Sequence, residues 1–541
     1  MNKTVSRPAA ARPRPRSFGR RGAARLVAWA GDARLSIWLV AGFVIAHAVL
    51  WTAILTQLKA AQDVHFDVSE GFAWGQKLLL GYGKHPPLSG WVAAAWFSIF
   101  PATDWATYAL AMATVSAGMM ICWAIALRVV DRRRAFLVVV MLALYPIFNF
   151  KGFKYNPDLL QLVTLPLLVL AYLDAFDKRT IRAGLLLGLA GALALMTKYW
   201  VLTMIGAIGL TALIHPARML FLRSPAPWVA IVTLGVAMVP HFRWLQQVDF
   251  VPITYAGGTY AISDHWQSLQ LVLGYIGHNL ALLALPLALA ALALAWSPRR
   301  WTLPFRDPRA FFAEPWSMRD DGGVRRDQAV NIWIVQGIVA VGPPLGALGF
   351  DIYLKTDWGI SLFFLVPLCV VAIPTLRVPR AALVRIAAVW LALSLIVLAA
   401  SPQIAIATAP RNGAGQFTHG SYSQLARELT QAWRQRFHSR WAVVIGPTEV
   451  STLMTFYSPD HPAPLTPDEA WGAGLTSLGE ANREGFIGVC EVGSPQQPGC
   501  DAWMKDNVKA GERIVMTTRR FYAGGAGAPT GWNVTIVPPS R

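Results

Sequence analysis

The sequence predicts a polytopic α-helical membrane protein that carries a small α/β domain in its C-terminal quarter. Hydrophobic residues fill 55% of the 541 positions and charged residues only 14%, whereas a soluble protein has roughly 25% charged residues. Long apolar stretches recur through the first 400 positions, and polar, turn-rich sequence follows them. These observations exclude an ordinary soluble protein.

The net charge of +19 does not indicate a nucleic-acid partner. Most arginines stand in short loops between apolar stretches, where positive charge sets the orientation of membrane spans. Residues 1–36 are rich in arginine among Ala and Pro and lack the short apolar core of a signal peptide. We therefore expect a basic, disordered cytoplasmic tail there.

About eleven spans are predicted within residues 37–400. The segment 183–214 is too long for one span and is interrupted at Thr197-Lys198-Tyr199, so we expect two short helices that meet near Lys198. With this count the basic loops all fall on the side of the N-terminus, which is the cytoplasmic side. The spans are 37–58, 105–130, 135–150, 158–173, the two halves of 183–214, 228–245, 269–296, 330–350, 360–376 and 383–400.

An odd number of spans places residues 401–541 outside the cytoplasm. Residues 421–437 carry Leu425, Leu429 and Trp433 at helical spacing, which is typical of an amphipathic helix. Four short apolar runs are predicted as strands, at 442–445, 486–489, 513–516 and 534–537. Together they predict a small α/β domain.

Cys490 and Cys500 lie ten positions apart in this external region, where an oxidising compartment allows a disulfide. A zinc site is not favoured, because no second Cys or His pair accompanies them at the required spacing. Cys122 and Cys369 lie in apolar spans and are expected to pack as small hydrophobic residues.

The predicted external loops concentrate acids, amides and lysines close to the membrane, where ionisable groups are costly and often functional. Asp67 and Glu70 are three positions apart and would share a helix face. Lysines on one face can bind a phosphate as point charges, and a carboxylate can act as a general base. Each lysine alone is also compatible with snorkelling to the interface. The candidates for substrate contact are Lys84, His85, Lys154, Asn156, Asp158, Lys198, Tyr199 and Lys355.

Several of these positions form a pattern that resembles a known family. The motifs are Asp67-Val-Ser-Glu70 with Trp74, Gly81-Tyr82, Lys84-His85-Pro86-Pro87-Leu88, Tyr155-Asn156-Pro157-Asp158 and Thr197-Lys198-Tyr199. They resemble the bacterial GT-C glycosyltransferases of family 39, the protein O-mannosyltransferase superfamily, over residues 37–358. That superfamily includes the aminoarabinose transferases of lipid A and the rhizobial lipopolysaccharide core transferases.

The resemblance implies a GT-C fold with an active site at the outer face of the bacterial inner (plasma) membrane. Such an enzyme moves a sugar from a polyprenyl-phosphate donor to an acceptor that is lipid A, a glycan or a protein. Asp67 is then the first candidate for the base and Glu70 the second, and four lysines are candidates for the donor phosphate: Lys84, Lys154, Lys198 and Lys355. Some relatives bind a divalent metal near these acids, but this sequence demands no cofactor.

Two other classes of membrane protein remain as alternatives. A transporter or a glycolipid flippase also uses broken helices and charges at membrane depth, although the sequence shows no convincing internal repeat. An O-antigen polymerase or ligase works at the same face but has large polar external loops in mid-chain. The lipid carrier of a transferase needs a lateral groove, to which a re-entrant segment at 88–101 could contribute.

Overall fold

The computed structural model describes residues 18–260, 262, 264–295, 323–373, 376–409, 421–469, 471–472 and 474–540. A helical bundle and a smaller α/β domain make up this part of the chain. In chain order, the bundle contains α1 (Phe18–Gly31), α2 (Leu35–Leu58), α3 (Phe66–Gly75), α4 (Leu88–Phe97), α5 (Asp104–Val129), α6 (Arg132–Leu144), α7 (Pro157–Lys178), α8 (Ile181–Leu195), α9 (Leu202–Ile214), α10 (Arg218–Leu222), α11 (Pro225–Gln247), α12 (Val251–Tyr260), α13 (His265–Ala295), α14 (Arg326–Phe350), α15 (Val366–Val371) and α16 (Arg380–Thr408).

Seven of the described helices are long and apolar enough to cross a membrane, namely α2, α5, α7, α11, α13, α14 and α16. An eighth span results if α6 is joined to the 3₁₀ turns at Pro146–Phe153, from which it is bent by 82°. The helices α4, α8 and α9 are apolar but shorter. The polytopic helical fold is therefore confirmed, whereas the predicted count of about eleven spans is not.

Three of the eleven predicted spans, the two halves of 183–214 and the segment 360–376, have no counterpart among the seven or eight described helices that are long enough to cross a membrane. The segment 183–214 is broken into α8 and α9 around Lys198, as the sequence predicted. The prediction of a single spanning helix at 360–376 is wrong, because this segment contains the end of a 3₁₀ turn (Thr356–Leu362) and only the six residues of α15. Leu368 and Val371 of α15 are buried in the core of the bundle. The hydrophobicity of this segment therefore reflects burial within the protein.

The N-terminal tail is not wholly irregular, contrary to expectation. Residues 18–31 form α1, while residues 1–17 lie outside the described part of the chain. Ala30 is fully buried and Leu26 packs against the core of the bundle. These apolar contacts stabilise the segment as a helix.

The C-terminal domain contains α17 (Tyr422–Phe437), β1 (Val443–Ile445), α18 (Thr448–Tyr457), β2 (Ala463–Leu465), α19 (Leu478–Glu484), β3 (Phe486–Glu491), α20 (Gln497–Asn507), β4 (Glu512–Tyr522) and β5 (Gly525–Val537). The strand order is β2-β1-β3-β5-β4. The strand β1 pairs in parallel with β2 and β3, and β5 pairs antiparallel with β3 and β4. The predicted α/β domain is therefore present.

The predicted elements of this domain correspond closely to observed ones. Leu425, Leu429 and Trp433 of α17 are all fully buried, as their spacing predicted. The four predicted strands fall within or overlap β1, β3, β4 and β5, and only the three-residue strand β2 was not predicted. Cys490 at the end of β3 is joined to Cys500 of α20 by a disulfide, with 5.8 Å between their Cα atoms.

The domain packs directly on α3, the helix that carries Asp67 and Glu70. Val68 and Phe72 of α3 belong to the same buried apolar cluster as Trp433 and Phe456 of the domain. Ser69 Oγ lies 3.0 Å from Thr452 Oγ1. One side of the acidic helix is thus covered by the C-terminal domain.

A salt bridge between Arg520 of β4 and Asp63 anchors the loop before α3 to the domain. Arg520 also donates to the carbonyl oxygens of Ala60 and Gln62, at 3.2 and 2.7 Å. The other oxygen of Asp63 accepts from the backbone N–H of Tyr422 at 3.0 Å. Because both charges are buried and paired, this contact fixes the position of the loop.

Candidate active site

Asp67 stands in the first turn of α3, where a carboxylate is stabilised by the helix dipole. Its Oδ2 accepts a hydrogen bond from Asn156 Nδ2 at 2.8 Å and lies 3.2 Å from Lys154 Nζ. Asn156 also caps α7, since its side-chain oxygen accepts from the N–H of Leu159. A single polar residue therefore ties the acid to the start of a membrane-spanning helix.

The other oxygen of Asp67 is in a different situation. His65 Nδ1 lies 3.5 Å from it, but that nitrogen accepts a hydrogen bond from the backbone N–H of Asp67 at 3.2 Å. It therefore carries no proton to donate. Within the described residues, Oδ1 receives no hydrogen bond and remains available to a bound molecule.

The electrostatic surroundings keep Asp67 ionised. Burial alone would raise the pKa of its carboxyl, but the charge of Lys154 and the hydrogen bond from Asn156 hold that pKa well below its usual range. Burial lowers the pKa of His65 to about 4, although Asp67 opposes the change. At neutral pH the pair is therefore a carboxylate beside an uncharged imidazole.

Glu70 has a contrasting environment. It is buried and receives one hydrogen bond from Lys84 Nζ at 2.9 Å. The same ammonium forms a salt bridge with Glu469 of the C-terminal domain. Burial and the charge of Glu469 raise the pKa of Glu70 to about 7, against the opposing effect of Lys84. The pKa values of the two acids of α3 are thus shifted in opposite directions.

These contacts revise the role expected of Lys84. Burial disfavours its charged form, but the two carboxylates more than compensate and raise the pKa of its ammonium. The close approach of Gly83 to the indole of Trp471 brings the two parts of the chain together, since a Cβ at Gly83 would lie 2.5 Å from Trp471 Cβ. Lys84 therefore forms a bridge between the acidic helix and the C-terminal domain.

Lys198 also has a carboxylate partner. Its Nζ lies 2.7 and 2.9 Å from the two oxygens of Asp158, and it sits 5.1 Å from the centre of the Trp358 ring. Asp158 accepts a further hydrogen bond from Gln161 at 3.0 Å. This salt bridge holds the break between α8 and α9 against the first turn of α7. The break therefore has a structural cause.

Tyr199 and His85 are two further predicted residues with defined partners. The hydroxyl of Tyr199 lies 3.1 Å from His241 Nε2, and His241 Nδ1 donates to the carbonyl of Leu80 at 2.7 Å. Tyr199 therefore donates to the ring of His241. His85 packs edge-on against Trp74 at 5.9 Å. Burial, with the charge of Lys198, lowers the pKa of His85 to about 3, so this imidazole is neutral.

Lys355 is the predicted lysine whose ammonium has no carboxylate partner among the described residues. It is exposed at the start of the 3₁₀ turn Thr356–Leu362. Its charge, with those of Lys154 and Lys59, acts on the ring of His65. Lys59 was not predicted as a site residue; its Nζ lies 4.2 Å from the centre of the Phe153 ring and 3.3 Å from Gln62 Oε1. Lys154 therefore contacts the His65–Asp67 pair directly, and the charges of Lys59 and Lys355 act on His65.

A metal ion does not fit this arrangement. Each acid of α3 already has a lysine partner, Lys154 for Asp67 and Lys84 for Glu70. Within the described ranges, His, Cys, Asp and Glu side chains form no group of three or more that could hold a metal. The charges facing the acids are those of lysines.

An apolar groove of about 310 Å³ runs between α9 and α14. Its floor is open because small residues, among them Gly206 and Gly346, leave space where side chains would stand. Trp200 and Leu354 line it close to Lys355. The groove is thus bounded by apolar helix faces and is lined by Leu354, the residue before Lys355.

Comparisons with known proteins agree with this architecture. Residues 84–244 match the family described as dolichyl-phosphate-mannose-protein mannosyltransferase. The lipid A galacturonosyltransferase RgtD of Rhizobium johnstonii is 25% identical over 249 residues, which are 44% of this chain and 48% of that protein. The chain therefore spans about half the length of the curated relative that it matches.

A solved structure shares the fold over nearly the whole chain. This is ArnT from Cupriavidus metallidurans bound to undecaprenyl phosphate, with a TM-score of 0.55 and 11% identity. The match covers 92% of this chain and 98% of that one. The fold is therefore that of a GT-C membrane protein, as expected from the sequence, and both sequence matches are to glycosyltransferases.

Proposed function

We propose that this protein transfers a hexose- or pentose-type sugar from a polyprenyl-phosphate donor to a lipid acceptor of the lipid A type. The reaction takes place at the outer face of the bacterial inner membrane, with the N-terminus in the cytoplasm and the C-terminal domain in the periplasm. Support comes from the named relative, a lipid A galacturonosyltransferase, and from the undecaprenyl phosphate bound by the protein of similar fold.

One observation carries the proposal: an ionised carboxylate, that of Asp67, lies beside Lys154, and an apolar groove is lined by Leu354, the residue before Lys355. A polyprenyl chain needs an apolar channel beside lipid, and its phosphate needs cations. The groove between α9 and α14 supplies the first. Lys355, together with Lys59 and Lys154 near His65, supplies the second. The donor's sugar would then lie beside Asp67.

The chemistry follows from this placement. The acceptor hydroxyl attacks the anomeric carbon of the donor sugar, a new glycosidic bond forms, and the bond to the phosphate oxygen breaks. The hydroxyl proton passes to Asp67 Oδ1, the oxygen without a hydrogen-bond donor among the described residues. The leaving phosphate keeps the bonding electron pair, and its negative charge is stabilised by the lysines.

Direct transfer tests the proposal. Full-length protein is reconstituted in vesicles with a radiolabelled polyprenyl-phosphate-linked sugar and lipid A, and label in the extracted lipid A is counted. Time-dependent label in lipid A supports the proposal. The transporter or flippase alternative gains no support from the matches. Movement of labelled donor across the bilayer while lipid A remains unlabelled would favour that alternative over transfer.

The groove has its own test. Gly346→Leu places a large side chain in the space that would hold the lipid, whereas Gly337→Leu lies on the same helix outside the groove. A Cβ meets no neighbouring atom within 4 Å at either position. Gly346→Leu should raise the KM for the polyprenyl donor and leave activity on a short-chain donor intact. Equal effects of both variants would show that the polyprenyl chain does not bind in this groove.

A further inference from the structure

A second cavity lies at the end of the bundle opposite the acidic helix. It has a volume of about 470 Å³ and is formed by the C-terminal end of α1 and the N-terminal ends of α6 and α16. The helix α5 shows that the cavity and the acidic helix lie at opposite ends of the bundle. Its first residue, Asp104, accepts a hydrogen bond from Tyr457 of the C-terminal domain, and its last turn leads to α6, which lines the cavity. The proposed reaction makes no use of this cavity.

The cavity is strongly positive. Four arginines line it, Arg132, Arg133, Arg134 and Arg380, together with one carboxylate, that of Asp131. Asp131 is already engaged as the cap of α6, because its Oδ1 accepts from the N–H groups of Arg133 and Arg134 at 2.9 and 3.2 Å. The other oxygen of Asp131 lies 3.6 Å from Nε of Arg134, so three of the four arginines have no carboxylate partner in the lining.

Arg133 contributes the clearest sign of a missing partner. Its Nε is buried but has no hydrogen-bond partner within the described part of the chain. The guanidinium lies against Gly31, where a Cβ would stand 2.8 Å from that nitrogen. Because a buried donor without an acceptor is costly, a ligand that accepts hydrogen bonds would stabilise this arrangement.

The neighbouring aromatic residues place the cavity at the level of lipid headgroups. Trp29 at the end of α1 is 46% exposed, and Trp38 at the start of α2 is 74% exposed. Tryptophan is enriched at membrane–water interfaces because its ring is apolar and its N–H polar. An anion at this depth is most readily supplied by a lipid.

We propose that this cavity binds the phosphate of an acidic phospholipid from the cytoplasmic leaflet. Arginine forms paired hydrogen bonds with phosphate oxygens, and basic pockets between membrane helices on this side of a bilayer suit such headgroups. The acyl chains would lie along the outer surfaces of the adjoining helices. The bound lipid would neutralise the arginine cluster and join α1 to α6 and α16.

Lipid retention and thermal stability test the inference. Full-length protein in detergent is titrated with phosphatidylglycerol or phosphatidylcholine, and bound lipid is counted by native mass spectrometry while unfolding is followed on heating. Phosphatidylglycerol should be retained and should raise the unfolding temperature, and phosphatidylcholine should do neither. Because an arginine near an anionic membrane surface contributes about 1 kcal/mol, Arg133→Gln should weaken phosphatidylglycerol binding about five-fold.

Two further variants keep the test decisive. Arg132→Gln also lines the cavity but is exposed, so it should weaken binding even if Arg133→Gln fails to fold. Arg377→Gln removes an exposed charge from the segment just before α16 without touching the lining, and binding should be unchanged. Equal weakening by Arg132→Gln and Arg377→Gln would overturn the inference, leaving only a general surface charge. Equal stabilisation by inorganic phosphate in phosphatidylcholine would also overturn it, because the site would then take free phosphate.

Discussion

Asn156 donates a hydrogen bond from its side-chain amide to Asp67, with 2.8 Å between Nδ2 and Oδ2. The contact joins the first turn of α3 to the cap of α7. Since Lys154 approaches the same oxygen, the carboxylate is fixed in direction and its other oxygen faces the site. Orientation of this kind is what a general base requires before a substrate binds.

The two acids of α3 predict different pH profiles for sugar transfer. The pKa of Asp67 lies well below its usual range, so a base at this position stays ionised and the rate should not fall with acidity until below about pH 5. The pKa of Glu70 is raised to about 7. If Glu70 were the base, the rate would fall as the pH drops through that value.

The profile is measured as kcat/KM for transfer, with Glu70→Gln beside the wild type. With Asp67 as the base, kcat/KM of the wild type should show no fall near pH 7 that the Glu70→Gln substitution removes. The two profiles should therefore have the same shape in this range. A wild-type limb near pH 7 that this variant abolishes would assign the base to Glu70. Stability is recorded at each pH, because the lowered pKa of His65 and of His85 means that stability is lost as the pH falls below about 6.5.

The lysines are expected to separate into two functional groups. Lys355 is exposed and has no carboxylate partner among the described residues, so Lys355→Gln should raise the KM for the donor roughly ten-fold or more with little change in kcat. Lys198 is paired with Asp158, so Lys198→Gln should instead lower the unfolding temperature. Lys77→Gln, at an exposed position after α3, serves as the control. A KM effect at Lys198 without loss of stability would reverse this assignment.

The disulfide is expected to stabilise the external domain. It closes a loop of ten positions between Cys490 and Cys500, for which loop entropy gives about 2 to 3 kcal/mol. A variant with both cysteines changed to serine should unfold at a lower temperature, and reductant should bring the wild type to the same value. Equal alkylation of both thiols with and without reductant would show that they are free.

The orientation of the chain can be tested with alkaline phosphatase fusions, which are active only outside the cytoplasm. A fusion after position 410 should be active and a fusion after position 300 inactive, because the basic loops are expected on the cytoplasmic side. Both positions lie outside the described residues. The reverse result would place Asp67 in the cytoplasm and exclude the proposed site.

The sequence was sufficient for the class of fold and for the region of the site, because both depend on local patterns. Hydrophobic stretches predicted the bundle, and helical spacing predicted the buried face of α17. Polar residues close to membrane spans drew attention to Asp67, Lys154 and Asn156, which the structure brings together. That contact spans 89 positions, and no local pattern could reveal it.

The partners of the lysines were not predictable for the same reason. Lys84 and Lys198 have the same side chain and both stand near the membrane, yet each is paired with a different carboxylate. Lys59, directly after α2, resembles any lysine that snorkels from a span end. The apolar composition of α15 suggested a membrane span because burial in protein and burial in lipid favour the same residues.

The transfer rate of Asp67→Asn tests the central claim most directly. Asparagine keeps the size of the side chain and its capacity for hydrogen bonding but removes the proton acceptor, so the rate of transfer from a radiolabelled polyprenyl-phosphate sugar should fall about 10² to 10⁴-fold. Donor binding should be retained, because it is assigned to Lys355 and its neighbours. Near-normal transfer by folded Asp67→Asn would contradict the account, and loss of transfer in Glu70→Gln alone would move the base to Glu70.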